Sequence, residues 1–261
     1  MPEGHTLHRL ARELQELVGR RVRATSPQGR FGDGATTIDG RRVVAVDAFG
    51  KHLVCDVGGD HLHVHLGMRG AMFRSDPDGT ARPGVRLRLR ADEPAVAWDL
   101  VAPTRCELLT DDGRADLLAR LGPDPLRGDD PAPMVARLRS SSRPVGQLLL
   151  DQEVVAGVGN VLRAEVLHLC GIHPGRPGSS LAPEDLDHLW TTLVRVMERA
   201  TDEGRIITVD EPEGVDRASI GEAVGRYVYK QEGCRRCGAV VRTWDMGGRT
   251  AYACERCQRP G

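Results

Sequence analysis

Residues 154–163 read Val-Val-Ala-Gly-Val-Gly-Asn-Val-Leu-Arg, with two glycines between two apolar segments. Gly157 and Gly159 permit a tight turn whose backbone can approach another molecule closely. Asn160 then begins a helical segment, where exposed N–H groups and the helix dipole favour a bound phosphate. An ordinary helical hairpin with Asn160 as its N-cap explains the same residues. From the residues alone the two interpretations are evenly matched.

Downstream, four of the seven cysteines form two Cys-x2-Cys pairs with a 16-residue spacer. Each pair can direct two thiolates at one ion, and the spacer is long enough for a hairpin, so the spacing predicts a tetrahedral zinc site. Two disulfides are the alternative, disfavoured because the sequence shows no secretion signal. No fifth ligand or open position is visible. We therefore expect one structural Zn²⁺ bound by Cys234, Cys237, Cys254 and Cys257.

The hydrophobic pattern changes period along the rest of the chain. Residues 6–18 carry a helical apolar stripe, and residues 41–101 alternate as strands do. A Pro/Gly/Asp-rich stretch at 122–133 predicts a linker. The helical period returns over 186–197, and the acidic residues 202–225 predict a loop. We expect an α+β protein, with an N-terminal helix and antiparallel β-sandwich, then a helical domain, then a C-terminal zinc-finger hairpin.

Length and composition narrow the class of protein. The chain has 261 residues, 40% of them hydrophobic, which is enough for packed cores. It has no apolar run of 18 residues and no signal-peptide pattern, so we expect no membrane span and a cytoplasmic location. The predicted domains are a β-sandwich over residues 1–127, a helical domain over 128–225 and a zinc finger over 226–261.

Pro2 is a candidate nucleophile. Removal of Met1 would leave Pro2 with a secondary amine, and an α-amino group has a pKa of about 7.7–8.0, so part of it is neutral near pH 7. Glu3 is adjacent and suits general acid or base work. Taken alone, an inert terminus explains these residues better, because Met-Pro-Glu starts are common.

Three histidines, His61, His63 and His65, alternate on one predicted strand. In a strand, residues i and i+4 lie roughly 13 Å apart, which is too far for one ion. The spacing therefore favours a polar sheet face over a set of metal ligands.

Taken together, these segments resemble the formamidopyrimidine-DNA glycosylase/endonuclease VIII family, and most of all its actinobacterial endonuclease VIII branch. The resemblance spans nearly the whole chain in family order. Besides the cysteine pairs, the matching segments are Met1–Gly4, Gly50–Leu53, His65–Met68, Leu121–Asp124, Leu149–Gln152, Gly157–Asn160, Gly171–Pro174 and Gly248–Thr250.

The resemblance implies a bifunctional DNA glycosylase and AP lyase of base excision repair. In that family Pro2 would be the Schiff-base nucleophile and Glu3 the proton donor and acceptor at the sugar. Lys51 would assist elimination and contact phosphate. Arg249, in the zinc finger, would bind phosphate and support δ-elimination.

The same resemblance implies damaged DNA as the partner of a monomer that works at the bacterial nucleoid. Asn160 would grip the DNA backbone at the lesion, and Arg120 would contact DNA. Met68 would fill the gap left when a nucleotide is flipped out, a step needed because the stack shields the glycosidic bond.

Two departures from the family matter, the first for the substrate and the second for the steps that the family assigns to a second carboxylate. The purine branch carries Arg-Arg-Phe-Gly where residues 104–107 read Thr-Arg-Cys-Glu, without an aromatic residue. Thr6 stands where many members have a second glutamate. The composition of loop 202–225 also differs from the lesion-capping loop of the purine branch. We therefore expect excision of oxidised pyrimidines; the alternatives are a purine-lesion glycosylase of the same family and a non-catalytic zinc-dependent DNA-binding protein.

The net charge of the chain is −1, but the charged residues are distributed unevenly along it. Residues 181–225 hold 4 Arg and 11 acidic residues, whereas residues 226–261 hold 7 Arg, 1 Lys and 3 acidic residues. The second segment is therefore net +5 and suits phosphate. We expect it to form one basic face with Lys51, Arg120 and the helix start at Asn160, while the acidic segment faces away from DNA.

Overall fold

Two four-stranded antiparallel sheets dominate the first of the two units into which the chain divides, residues 1–120 and 121–261. The structure is a computed structural model that describes residues 2–211 and 214–259. The helical segment that begins at Asn160 and the cysteine hairpin both fall in the second unit. The finer domain boundaries at residues 127 and 225 remain predictions. Within the described ranges, no helix is long and apolar enough to cross a membrane.

The first unit begins with a helix that continues into a 3-10 turn at Leu14–Leu17. Its elements in chain order are α1 (Gly4–Glu13), β1 (Arg23–Thr25), α2 (Gly32–Ile38), β2 (Val43–Phe49), β3 (His52–Val57), β4 (Asp60–His65), β5 (Ala71–Ser75), β6 (Val85–Ala91), β7 (Val96–Val101), β8 (Arg105–Leu109) and α3 (Asp111–Ala119).

The two sheets have the strand orders β1-β6-β7-β5 and β2-β3-β4-β8, with every neighbouring pair antiparallel. Apolar residues of both sheets and of α1 share one buried core, to which Leu7, Leu53 and Leu87 belong. The predicted helix and sandwich are thus confirmed. Helix α2 was not predicted, because it buries only Ala35 and Ile38 and is too short to show a periodic stripe.

The second unit is helical up to its C-terminal hairpin. Its elements are α4 (Ala132–Arg139), α5 (Val145–Leu148), α6 (Asn160–Leu169), 3-10 turns at Gly178–Ser180 and Arg217–Ser219, α7 (Pro183–Glu203), β9 (Arg242–Asp245) and β10 (Thr250–Ala253). The strands β9 and β10 pair as an antiparallel hairpin. The predicted stripe on α7 is confirmed, since Leu186, Leu189, Leu193 and Met197 are fully buried.

The helix expected before the glycine turn is only four residues long. Between this helix and α6, Gln152 holds the glycine turn, because its side chain accepts from the Gly157 N–H at 3.1 Å and donates to the Val158 carbonyl at 3.1 Å. Such side-chain bonds stabilise turns at the expense of helix. Gly157 has φ +89°, as the predicted tight turn requires.

The turn after β4 requires glycine at position 67 for two reasons. Its φ is +67°, and a Cβ there would overlap Oγ1 of Thr104. Gly19 has a similar φ of +83° with open space around it. Gly67→Ala should lower the free energy of unfolding by about 2–4 kcal/mol, and the matched Gly19→Ala by about 1 kcal/mol. Urea denaturation measures both, and equal losses would contradict the crowding.

Candidate nucleic-acid interface and metal centre

The first two described residues place a carboxyl group beside a potential amine. Glu3 occupies the N-cap position of α1 in extended conformation, at φ −127° and ψ −174°. Its side chain does not cap the helix, and the residue is only 1% exposed. The Glu3 carbonyl accepts from the Thr6 N–H at 2.9 Å, which fixes the start of the helix. The backbone therefore holds Glu3 buried directly next to half-buried Pro2.

Lys51 and Met68 lie on two turns at one end of the same sheet. Lys51 is in the turn between β2 and β3, and Met68 is in the turn after β4. Because β3 and β4 are antiparallel, with Leu53 opposite Val64, the start of β3 and the end of β4 coincide. Met68 is 61% exposed.

Sequence reasoning missed Arg105 at this end of the sheet. Arg105 begins β8 directly opposite His65, the last residue of β4. A cross-strand partner is not visible from a sequence until the strand order is known. Arg120 lies at the C-terminal end of α3 and is exposed.

Asn160 in the second unit is the first helical residue of α6, and Gly159 is the N-cap. The N-cap interpretation of Asn160 is therefore wrong. Its amide donates instead to the carbonyl of Thr250 at 3.1 Å, and its Oδ1 accepts from Arg163. Thr250 follows Arg249, so the structure brings Asn160 close to the backbone of the hairpin turn that carries Arg249.

Arg163 is a buried residue that the sequence did not single out. It is 1% exposed and donates to the Thr250 carbonyl at 2.7 Å and to the Gly146 carbonyl at 3.4 Å. Its position three residues after Asn160, on one face of an otherwise largely apolar helix, was the available signal. Arg163 therefore fixes Asn160 against the hairpin.

Arg249 is exposed on the turn between β9 and β10. The Met246 N–H donates to the Arg249 carbonyl at 2.9 Å and closes that turn. On β9, Trp244 stacks on His173 at a centroid distance of 5.4 Å and an angle of 10°. The turn therefore rests on a strand that is anchored to the Gly171–Pro174 motif.

Cys234, Cys237, Cys254 and Cys257 form one cluster, with their sulfur atoms all within 4.8 Å of one another. The Sγ–Sγ distances are 3.9 Å for Cys234–Cys257, 3.5 Å for Cys237–Cys254 and 3.5 Å for Cys237–Cys257. Tetrahedral zinc with bonds of about 2.3 Å requires sulfur atoms about 3.8 Å apart, whereas a disulfide requires about 2.05 Å. The cluster thus fits a metal ion, and the disulfide alternative is wrong because all four thiols are free.

The surroundings of the cluster suit thiolate ligands. A hydrogen bond from the Ala239 backbone lowers the pKa of Cys237 to about 7. His168 is fully buried and lies with its Nε2 3.2 Å from the sulfur of Cys234. Burial lowers the pKa of His168 to about 4, so its imidazole is neutral and can donate one N–H to the thiolate.

His61, His63 and His65 lie on β4, and within the described ranges the cysteines are the one group that could hold a metal ion. The face expected to be polar is largely buried, since His63 is 2% exposed. His63 hydrogen-bonds His52 and Glu107.

In its described residues the acidic segment after α7 is confirmed as a loop with one 3-10 turn, although residues 202 and 203 still belong to α7 and residues 212 and 213 lie outside the described part of the chain. Arg217 neutralises part of its charge, with contacts to Glu203 at 2.6 Å and to Glu211 at 3.4 Å. Tyr227 donates to Asp210 at 2.7 Å beside a cavity of about 550 Å³. The loop is thus held to its own unit by internal ion pairs and hydrogen bonds.

Comparisons with known proteins agree with this architecture. Residues 1–106 match the formamidopyrimidine-DNA glycosylase N-terminal domain and residues 121–211 match the formamidopyrimidine-DNA glycosylase H2TH domain. Endonuclease 8 1 of Mycobacterium tuberculosis is 42% identical over 268 residues, covering 99% of this chain and 100% of that protein. Formamidopyrimidine-DNA glycosylase of Thermus thermophilus is 33% identical over 274 residues, covering 100% and 98%.

A crystal structure of Lactococcus lactis Fpg in complex with DNA containing N7-benzyl-Fapy-dG has a TM-score of 0.80 at 25% identity, covering 99% of this chain and 100% of that one. The chain therefore belongs to the formamidopyrimidine-DNA glycosylase family. It is a DNA glycosylase with AP lyase activity, a base excision repair enzyme. The likeness to the mycobacterial endonuclease 8 confirms the predicted resemblance to the actinobacterial endonuclease VIII branch.

Proposed function

We propose that the protein excises oxidised pyrimidines from damaged DNA and then cleaves the strand by β,δ-elimination. The observation that carries this proposal is the buried Glu3 carboxyl group directly beside Pro2, in a chain 42% identical over its full length to an endonuclease 8. A covalent amine mechanism needs a nucleophile and a proton-transfer group at the same sugar carbon. Two adjacent N-terminal residues supply both.

In this mechanism the neutral amine of Pro2 attacks C1′ of a flipped-out nucleotide. The N–C1′ bond forms as the glycosidic bond breaks and the base leaves with the bonding electron pair. Glu3 donates a proton to the sugar, whose ring opens to an iminium ion. Loss of a proton from C2′ expels the 3′ phosphate, and a second elimination expels the 5′ phosphate. Water then hydrolyses the iminium and restores the amine.

The remaining site residues act on phosphate and on the duplex. Lys51 and Arg249 contact phosphates and neutralise charge that develops on the departing oxygens. Asn160 and Arg120 hold the DNA backbone, and Met68 fills the space of the flipped nucleotide.

The preference for pyrimidines rests on the connection between β7 and β8. Only residues 102–104 join the two strands. Thr104 is tied to the sheet, because its N–H donates to the His65 carbonyl at 2.9 Å. This connection is too short and too firmly attached to insert an aromatic wedge beside Met68. We infer that Met68 alone acts as the exposed wedge, in place of the larger wedge that the Arg-Arg-Phe-Gly segment forms in the purine branch.

The metal in the cysteine cluster is proposed to be one structural zinc ion, since four thiolates and no open position suit Zn²⁺. The ion would hold the hairpin turn that carries Arg249. We further propose that the protein acts as a monomer in the bacterial cytoplasm, at the nucleoid.

A panel of defined lesions tests the substrate class. Duplexes that carry thymine glycol, 5-hydroxycytosine, 8-oxoguanine or a formamidopyrimidine would be compared under single-turnover conditions. We expect the pyrimidine lesions to be excised at least about tenfold faster, a difference of about 1.4 kcal/mol in the activation barrier. Faster excision of 8-oxoguanine would assign the protein to the purine class instead.

Borohydride reduction tests the nucleophile. During reaction with abasic DNA it should trap a covalent adduct that maps to Pro2. Glu3→Gln should slow base excision by about 100-fold or more, in the range that general acid catalysis contributes, and slow cleavage of a preformed abasic site less. An adduct on Lys51 or Lys230 would move the nucleophile, and a protein that retains Met1 yet forms the adduct would refute the amine mechanism.

Substitution of one ligand tests the metal. Cys237→Ser should lower bound zinc and DNA affinity together, because metal binding is coupled to folding of the hairpin. Arg249→Ala is the matched control: it should keep the zinc and reduce the slope of log K against log[salt] by about one unit. Metal content would be measured by atomic emission, and normal DNA binding by zinc-free protein would contradict the structural role.

A further inference from the structure

A chain of hydrogen bonds runs through three side chains of the sheet β2-β3-β4-β8. Oε1 of Glu107 lies 3.0 Å from Nδ1 of His63, and Nε2 of His63 lies 2.9 Å from Nδ1 of His52. Glu107 and His63 are direct cross-strand partners on β8 and β4. His52 is the first residue of β3 and immediately follows Lys51. The chain therefore ends at the residue that joins the Lys51 turn to the sheet.

The carboxylate at one end fixes the hydrogens of both imidazoles. A carboxylate only accepts hydrogen bonds, so His63 donates to Glu107 from Nδ1. Its Nε2 is then an acceptor when the ring is neutral, and His52 must donate to it from Nδ1. Burial lowers the pKa of His63 and lowers that of His52 to about 3, so both rings are neutral near pH 7.

The charged groups around this chain of hydrogen bonds also favour neutral histidines. His65 on β4 packs against His52 with ring centroids 5.1 Å apart. Lys51 and Arg105 are cations near both of these rings, and their charges disfavour an imidazolium there. Arg105 also lies 3.6 Å from Glu107. The positive charge at this end of the sheet is thereby kept on Lys51 and Arg105 and not on the histidines.

We propose that the Glu107–His63–His52 chain is a positioning device for Lys51. It fixes His52, the first residue of β3, from the neighbouring strands β4 and β8, and so orients the turn that presents Lys51 to a DNA phosphate. This inference rests on the proposed role of Lys51 in phosphate contact and elimination. In this proposal the three residues act through Lys51.

The same strand contains a control. His61 is buried and lies 2.7 Å from Asp111, whose side chain is 94% exposed, so it also forms a histidine–carboxylate pair on β4. His61 is at the opposite end of β4 from His65, and its partner begins α3. Loss of this pair removes a similar interaction without affecting the turn of Lys51.

The test measures β-elimination at a preformed abasic site with full-length variants under single-turnover conditions. His63→Leu removes donor and acceptor and should slow elimination about tenfold, the range of coupling between contacting residues. His63→Gln keeps one donor and one acceptor and should recover to within about threefold of the unmodified rate. His61→Leu should leave the rate unchanged. Should His63→Leu fail to fold, Glu107→Leu breaks the chain at its half-exposed end.

A comparison of single and double variants with Lys51→Ala distinguishes a positioning role of His63 from a general loss of structure. In a Lys51→Ala background, His63→Leu should cause no further slowing, since the residue it positions is gone. An equal further loss there, or an equal loss with His61→Leu, would overturn the proposal. If Lys51→Ala slows elimination and His63→Leu does not, only the positioning role fails. If Lys51→Ala is as active as the unmodified protein, the proposed role of Lys51 itself fails.

Discussion

Helix α6 holds the cysteine hairpin through polar side chains that are buried in the second unit. Arg163 binds the Thr250 carbonyl, and His168 contacts the sulfur of Cys234 at 3.2 Å. Glu165 is fully buried and accepts from the backbone N–H groups of residues 227–229 at 2.7–2.9 Å. A buried charge without such partners costs several kcal/mol. The segment before the zinc knuckle and the turn after β9 must therefore keep their places relative to α6, which also begins with Asn160.

In the first unit, strand register fixes the positions of the turns that carry the candidate site residues. The antiparallel pairing of β3 with β4, and of β4 with β8, brings the ends of three strands to one edge. Lys51, Met68 and Arg105 come from distant parts of the sequence and meet there because the register allows no other alignment of the buried face. A shift by one residue would turn Leu62 and Val64 from the core to the opposite face. The core thus determines which side chains the edge presents.

Much of this could be predicted from the sequence because the signals were local. The cysteine spacing, the stripe on α7 and the period-two strands each depend on residues near one another in the chain, and the structure has all three. The N-cap interpretation of Asn160 failed because its amide bonds Thr250, 90 residues away. The roles of Arg163 and Glu107 in fixing other side chains were not predicted for the same reason. Their partners are set by tertiary contacts that a local pattern does not contain. The roles of the site residues were expected from family resemblance, since a lone Pro-Glu start carries little information.

The two units share one arrangement of polar groups. Each presents a cation on an exposed or half-buried turn, Lys51 in the first and Arg249 in the second, and each has a buried hydrogen-bonded residue behind that turn. A long flexible side chain binds phosphate weakly if its backbone also moves, because ordering the turn costs conformational entropy on binding. His63 and Arg163 are buried and hydrogen-bonded in the folded protein, so the turns in front of them are ordered during folding and not on binding.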